Sequence, residues 1–202
     1  MTIVDLSFSV FTNQSIPVDH GYALYSGLSR LLPNIHRQNG VAIHPLRGRQ
    51  VGERLLALDS RSRLTIRTQA EGIGGLIQFA GKSIDVAGRT LRLGVPQVHA
   101  LRPSTAVRSR LVTIKLKDGL TEQAFIQAVR RQMQDLELSD EVCLTLGKRR
   151  TLRIKDKEVV GYEVLVEALT ADESLILQQH GLGGRRHMGC GVFAPTAERG
   201  TL

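Results

Sequence analysis

The chain has 202 residues and 42% of them are apolar, so it is a globular chain long enough for one large domain or two small ones. Lys and Arg number 27 against 19 Asp and Glu, a formal charge of +8 that favours polyanionic partners. Cys143 and Cys190 stand alone, which argues against a disulfide framework or a C-x-x-C zinc site; no apolar run approaches the ~20 residues that cross a bilayer, and a cytoplasmic protein is expected.

In chain order, Val4, Leu6, Phe8 and Val10 alternate with Asp5, Ser7 and Ser9, which predicts a strand with one buried face. Leu24, Leu28, Leu31 and Ile35 recur at helical spacing, with Asp19 or His20 near the start. Pro33 must interrupt that helix, because proline has no N–H and clashes with the preceding turn. A short turn carrying Asn34, Ile35 and His36 follows, and Gly40 ends it. Arg63 to Thr68 reads as a strand, Ile73 to Ala80 as a glycine-loosened helix, and Lys82 to Leu93 as a strand pair turning at Gly88. Pro103, within residues 102–105, marks a linker, and His99 falls beside it.

The pattern then restarts. Val112, Ile114 and Leu116 alternate with Thr113, Lys115 and Lys117. Thr121 suits the N-cap of a helix presenting Phe125, Val129, Met133 and Leu136. Leu152 and Ile154 alternate with Arg153 and Lys155, a turn follows at Asp156 and Lys157, and Tyr162, Val164, Val166 and Ala168 share the face of the next strand. Thr170 and Glu173 form a capping box for a helix that Gly181 stops, before a last strand from Gly191 to Ala194. The order is β-α-β-β-α-β, and the first half fits it less clearly. The expected fold class is α+β: two tandem ferredoxin-like (RRM-like) units, over residues 1–101 and 106–197, with a C-terminal glycine-rich loop.

That loop, from Gly181 to Gly191, holds Gly181, Gly183, Gly184, Gly189 and Gly191 around Arg185, Arg186 and His187. Glycine lets a backbone approach a ligand, exposed N–H groups can cradle a phosphate oxygen, and arginine offers a matching fork of donors. A surface turn whose glycines only permit tight packing explains the same residues. A P-loop does not, since the G-K-[ST] ending is missing and the loop precedes a strand.

The spacing G-x-G-x-x-x-x-x-G-x-G before an apolar strand resembles the C-terminal motif of the repeat-associated RNA-processing superfamily of CRISPR systems. Within it, the stretch from Asp19 to Leu24 and the pair Ile35-His36 resemble the first helix and following histidine of the precursor-crRNA processing endoribonucleases. The resemblance implies a metal-independent endoribonuclease that cuts CRISPR repeat RNA on the 3′ side of a stem, leaving a 2′,3′-cyclic phosphate and a 5′-OH. It implies crRNA as ligand, other effector-complex subunits as partners, and no cofactor. A non-cleaving crRNA-binding subunit on the same fold is the alternative.

Such chemistry needs proton donors and acceptors and a cation near the phosphorane. His36 is the first catalytic candidate, by its place after the helix. His44 is either a second catalytic histidine or a turn residue. His20 and Tyr25 are lesser candidates inside the helix region. Other family members carry a tyrosine where this chain has Ser29 and a lysine after the histidine; here Arg47 is the nearest cationic substitute. For RNA binding the candidates are Lys148, Arg149, Arg150, Arg153 and Lys155 on a basic hairpin, and the glycine-rich loop with Arg185, Arg186 and His187. His180 flanks that loop. No carboxylate or cysteine supports His36 and His44 as metal ligands, so no metal site is expected. Aromatics are only 4% of the chain, which disfavours base stacking on a sheet and favours recognition of a stem through phosphates and shape.

Overall fold

A computed structural model describes residues 2–35, 40–116 and 119–196. The chain forms two compact units. The first comprises Met1–Ala100 together with Leu152–Glu158 and His187–Gly189; the remainder forms the second. Those two later segments, which sequence alone assigns to the C-terminal half, group with the first unit.

In the first unit, β1 (Ile3–Phe11) buries Val4, Leu6, Phe8 and Val10, as their alternation dictates. Helix α1 (Gly21–Leu31) lays Leu24 and Leu28 on that face, and Pro33 lies just past its end. Short strands β2 (Ile16–Pro17), β4 (Arg49–Gln50) and β5 (Leu55–Ala57) form a small separate sheet. The main sheet contains β3 (Ala42–Ile43), β6 (Arg63–Gln69), β7 (Ser83–Val86) and β8 (Arg89–Ala100), in the order β3-β6-β1-β8-β7. With β3, β6 and β8 as its second, third and fourth strands, the order is 2-3-1-4, that of a ferredoxin-like fold. The second helix of this unit is α2 (Ile73–Leu76), a single turn flanked by 3-10 turns. Gly74 and Gly75 explain its brevity, since each costs ~1 kcal/mol against alanine in a helix.

The second unit repeats the plan. Strands β9 (Ala106–Val112), β10 (Cys143–Ile154), β11 (Lys157–Glu167) and β12 (Ala194–Pro195) order as β10-β11-β9-β12, with α3 (Glu122–Asp135) and α4 (Ala171–His180) as the helices. Phe125 and Val129 of α3 and Leu177 of α4 meet Val107, Tyr162, Val164 and Val166 in one core. Thr121 caps α3 through Ala124 N–H, the Thr170–Glu173 capping box is complete, and Gly181 ends α4 at φ +66°.

Several sequence expectations change, among them the last strand, which is Ala194–Pro195 and not Gly191 to Ala194. The strand expected at Val112 to Lys117 is instead β9, ending at Val112; Ser109 on its buried face and the bulge between Tyr162 and Val164 of its partner hide the alternation, and Lys117 lies outside the described residues. His99 belongs to β8, not to a linker. The β10–β11 turn sits at Lys155-Asp156, where Lys155 takes φ +53°.

Candidate functional site

Asp19, His20 and Gly21 open α1 and anchor the surroundings. Asp19 accepts a hydrogen bond from Arg153 N–H at 2.8 Å. His20 is buried, and both its ring nitrogens are engaged: Nε2 accepts from Leu46 N–H at 2.9 Å, so Nδ1–H donates to Pro17 O at 2.8 Å. These bonds tie the start of α1 to the segment after β3 and occupy both nitrogens of His20, a lesser catalytic candidate from sequence. A Cβ on Gly21 would collide with the backbone oxygen of Met188 and press on Leu152 at 3.1 Å, so glycine here admits the short segment His187–Gly189. One turn further on, the rings of Tyr25 and His187 meet with centroids 4.6 Å apart and planes tilted by 54°. The structure thus brings together a phenol and an imidazole that sequence assigned to different roles. His36 lies outside the described residues; Ile35 before it is buried.

His44 stands just past β3 beside a charged cluster on the main sheet. Asp5 of β1 and Arg67 of β6 face each other in register and form a two-pronged ion pair, Nε to Oδ1 at 2.8 Å and Nη2 to Oδ2 at 2.9 Å. The Arg67 side chain is 1% exposed. His44 Nε2 lies 3.6 Å from Asp5 Oδ1, and its backbone N–H donates to Thr65 O. Burial alone would raise the Asp5 pKa, but His44 and the Arg67 guanidinium outweigh it and hold the carboxyl well below the usual carboxylate range. Burial pushes the His44 pKa down, and the charges of Arg67 and Arg47 oppose the attraction of Asp5. Burial thus works against a charged imidazole at His44, which is largely enclosed beside the Asp5–Arg67 pair. His99 stands opposite Asp5 in register on β8. Arg47 is exposed, while its carbonyl accepts from Ser62 Oγ at 2.8 Å.

The His44 shift has a consequence for stability. Between the lowered folded pKa and the unfolded value of about 6.5, the unfolded chain binds more protons, so stability rises with pH. The contribution is complete above about 6.5 and declines below it. Thermal melts from pH 7.5 to 5 should show wild type losing more stability than His44→Gln; parallel losses would refute the assignment.

In the second unit the glycine-rich loop is held from inside. A Cβ on Gly181 would strike Gly191 O, and one on Gly191 would strike Leu182 O. Gly183 N–H donates to Gln132 Oε1 at 2.6 Å, Gly184 N–H to Thr113 O at 3.0 Å, and Gly191 N–H to Leu111 O at 2.7 Å. Gly181 N–H closes the last turn of α4 on Leu177 O. These N–H groups are used within the protein, and Gly181, Gly183 and Gly191 allow close backbone packing, whereas a Cβ on Gly184 would meet open space. Arg186 is likewise turned inward, Nη2 donating to Gln179 O at 2.6 Å. Arg185, at φ +63°, reaches Thr113 Oγ1 at 3.4 Å, and His180 is exposed at the end of α4.

On the hairpin, Lys148, Arg149 and Arg153 are exposed, as is Lys155 at its turn. Arg150 differs: its Nη2 pairs with Glu163 Oε2 at 3.0 Å, and Arg108 holds the other carboxylate oxygen at 3.0 Å. Glu163, Asp5 and Arg67 were missed from sequence. Their only signal is opposite charge on facing strands, which needs the register to be seen. Among the described residues, no three His, Cys, Asp or Glu side chains gather so as to hold a metal ion, and no helix is long and apolar enough to cross a membrane.

Known proteins extend this picture. The family model described as Cas6 Crispr matches residues 4–198. A curated relative, the CRISPR-associated endonuclease Cas6 of Myxococcus xanthus, is 40% identical over 195 residues, covering 96% of this chain and 82% of the relative. Among solved structures, a Cas6-related protein from Pyrococcus furiosus superposes with a TM-score of 0.69 at 16% identity, covering 98% of this chain and all of the other. A RAMP protein that binds different RNA substrates gives 0.66 at 12%, with 98% and 100% covered. At such identities the structures establish the tandem ferredoxin-like fold, while the match along nearly the whole sequence establishes descent: the chain belongs to the Cas6 family of CRISPR-associated proteins.

Proposed function

We propose that the chain is an endoribonuclease that cuts CRISPR repeat RNA into guide RNAs by metal-independent acid–base catalysis. The observation that carries the reading is the Tyr25–His187 pair at the start of α1, in a chain 40% identical to a relative named as an endonuclease. A 2′-OH attacks the adjacent phosphorus: the P–O2′ bond forms, the P–O5′ bond breaks, and the products are a 2′,3′-cyclic phosphate and a 5′-OH. One group must take the proton of the 2′-OH and another give one to the leaving 5′-oxygen. His36 is the first of these groups, on its resemblance to the family histidine. Tyr25 and His187 are the described side chains suited to share the work, with Arg47 as an exposed cation. Lys148, Arg149, Arg153, Lys155 and Arg185 are the cations for the RNA backbone. The setting is the cytoplasm.

The burial of His20, with both ring nitrogens hydrogen-bonded, and the enclosure of His44 beside Asp5 support a second reading, a non-cleaving crRNA-binding subunit. Incubation of the protein with its own repeat RNA in excess EDTA separates the two. The expected result is a single cut with a cyclic phosphate end; bound but intact RNA establishes the alternative.

A further inference from the structure

The buried alternation of β1 leaves Asp5, Ser7, Ser9 and Phe11 on the other face of the sheet. Phe11 is 60% exposed, and among the described residues no other aromatic side chain is so open. It stands across from Arg92 of β8 in register. Phe8 pairs with Pro96 and Val10 with Leu93, so Gly94 and Val95 together oppose Ser9 as a bulge. Bulges of this kind re-aim side chains, and here Val95 is turned out, 80% exposed. A Cβ on Gly94 would lie 3.0 Å from Phe11 Cε2, so the ring leans over the bare glycine backbone. Phe11, Gly81, Arg92, Leu93, Gly94 and Val95 line an open apolar hollow of about 480 Å³. That volume falls within the roughly 300–1,000 Å³ of small-molecule sites.

We propose that this hollow holds one unpaired nucleobase of the RNA substrate, stacked on Phe11 with its phosphate on Arg92. The proposal rests on the RNA-processing reading and extends it to single-stranded RNA beside the repeat stem. Charge selects RNA over an apolar peptide. The β7–β8 segment carries Lys82, Arg89 and Arg92 against a single carboxylate, Asp85, which pairs with Arg30 at 3.7 Å. The low aromatic content argues against a sheet paved with stacking residues, but one ring on the outer face provides one sequence-tolerant platform.

The test uses the full chain and two repeat RNAs blocked against cleavage by a 2′-deoxy nucleotide at the cut site: the stem alone, and the stem with its single-stranded flank. In the flanked RNA, 2-aminopurine replaces each unpaired base in turn. Phe11→Ala should bind the flanked RNA on the order of 10-fold more weakly and the stem RNA as wild type does, and Phe11→Tyr should restore binding. Fluorescence at one position should be quenched by wild type and not by Phe11→Ala. Equal binding of both RNAs by Phe11→Ala and wild type overturns the platform while cleavage by wild type still upholds the RNA reading. A change of oligomeric state in Phe11→Ala with unchanged RNA affinity also overturns it, assigning the hollow to a second copy. If wild type neither binds nor cleaves the repeat, the RNA reading falls and the platform with it.

Discussion

Replacing His36 with alanine is expected to slow repeat cleavage about 10²–10⁴-fold while leaving repeat affinity within about threefold of wild type. The asymmetry follows from how each quantity is assembled. Affinity comes from many cations spread over the chain, and phosphate neutralisation by each is a modest share of the whole. Proton transfer depends on one or two groups held at bonding distance from the reacting oxygens. Removing one imidazole subtracts little phosphate attraction and most of the proton transfer. Tyr25→Phe and His187→Ala are the decisive comparisons. Their rings touch, so their effects should be non-additive: the double variant should be slowed by less than the product of the single effects. Single-turnover rates with saturating protein separate chemistry from binding. If His36→Ala cleaves at the wild-type rate while Tyr25→Phe does not, the proton-transfer site moves into the first helix and His36 loses its role.

The elements that sequence located well are those whose local signals agree with the fold. The strand at Val4–Val10, the Thr121 N-cap and the Thr170–Glu173 box are determined within a few residues of chain, and each stands where expected. What sequence could not supply is the register between distant segments. Asp5 and Arg67 are 62 residues apart and look like separate solvated charges until β1 and β6 are paired. The same holds for Tyr25 and His187, and for His20, whose engagement depends on Leu46. The glycine-rich motif identified the family through a pattern of residues, yet most of its glycines answer to backbone crowding against Thr113, Leu182 and Gly191. A motif can thus mark a family while most of its glycines are required by close backbone packing.

Asp5→Ala is expected to cost about 3–5 kcal/mol of stability, because it leaves the Arg67 guanidinium buried without its counter-charge. For a chain of this length that corresponds to a fall in Tm of roughly 6–20 °C. The cost includes that of a buried charge losing its carboxylate, beyond the net worth of the ion pair, and a second variant tells these apart. Asp5→Leu combined with Arg67→Met removes both charges and fills the site with apolar volume, so it should recover much of the loss. The pH dependence supplies a further check with a definite sign. The folded pKa of Asp5 is depressed, so the pair's contribution is complete above the unfolded value of about 3.9 and is lost as pH falls through the folded pKa. Below pH 4 the stability curves of wild type and Asp5→Ala should therefore converge, whereas at pH 7 they should be furthest apart. Urea unfolding at pH 7 and pH 3 measures both. A loss at pH 7 below about 1 kcal/mol, the range of an exposed surface pair, would mean that water reaches Arg67 and that the sheet face around Asp5 is not closed.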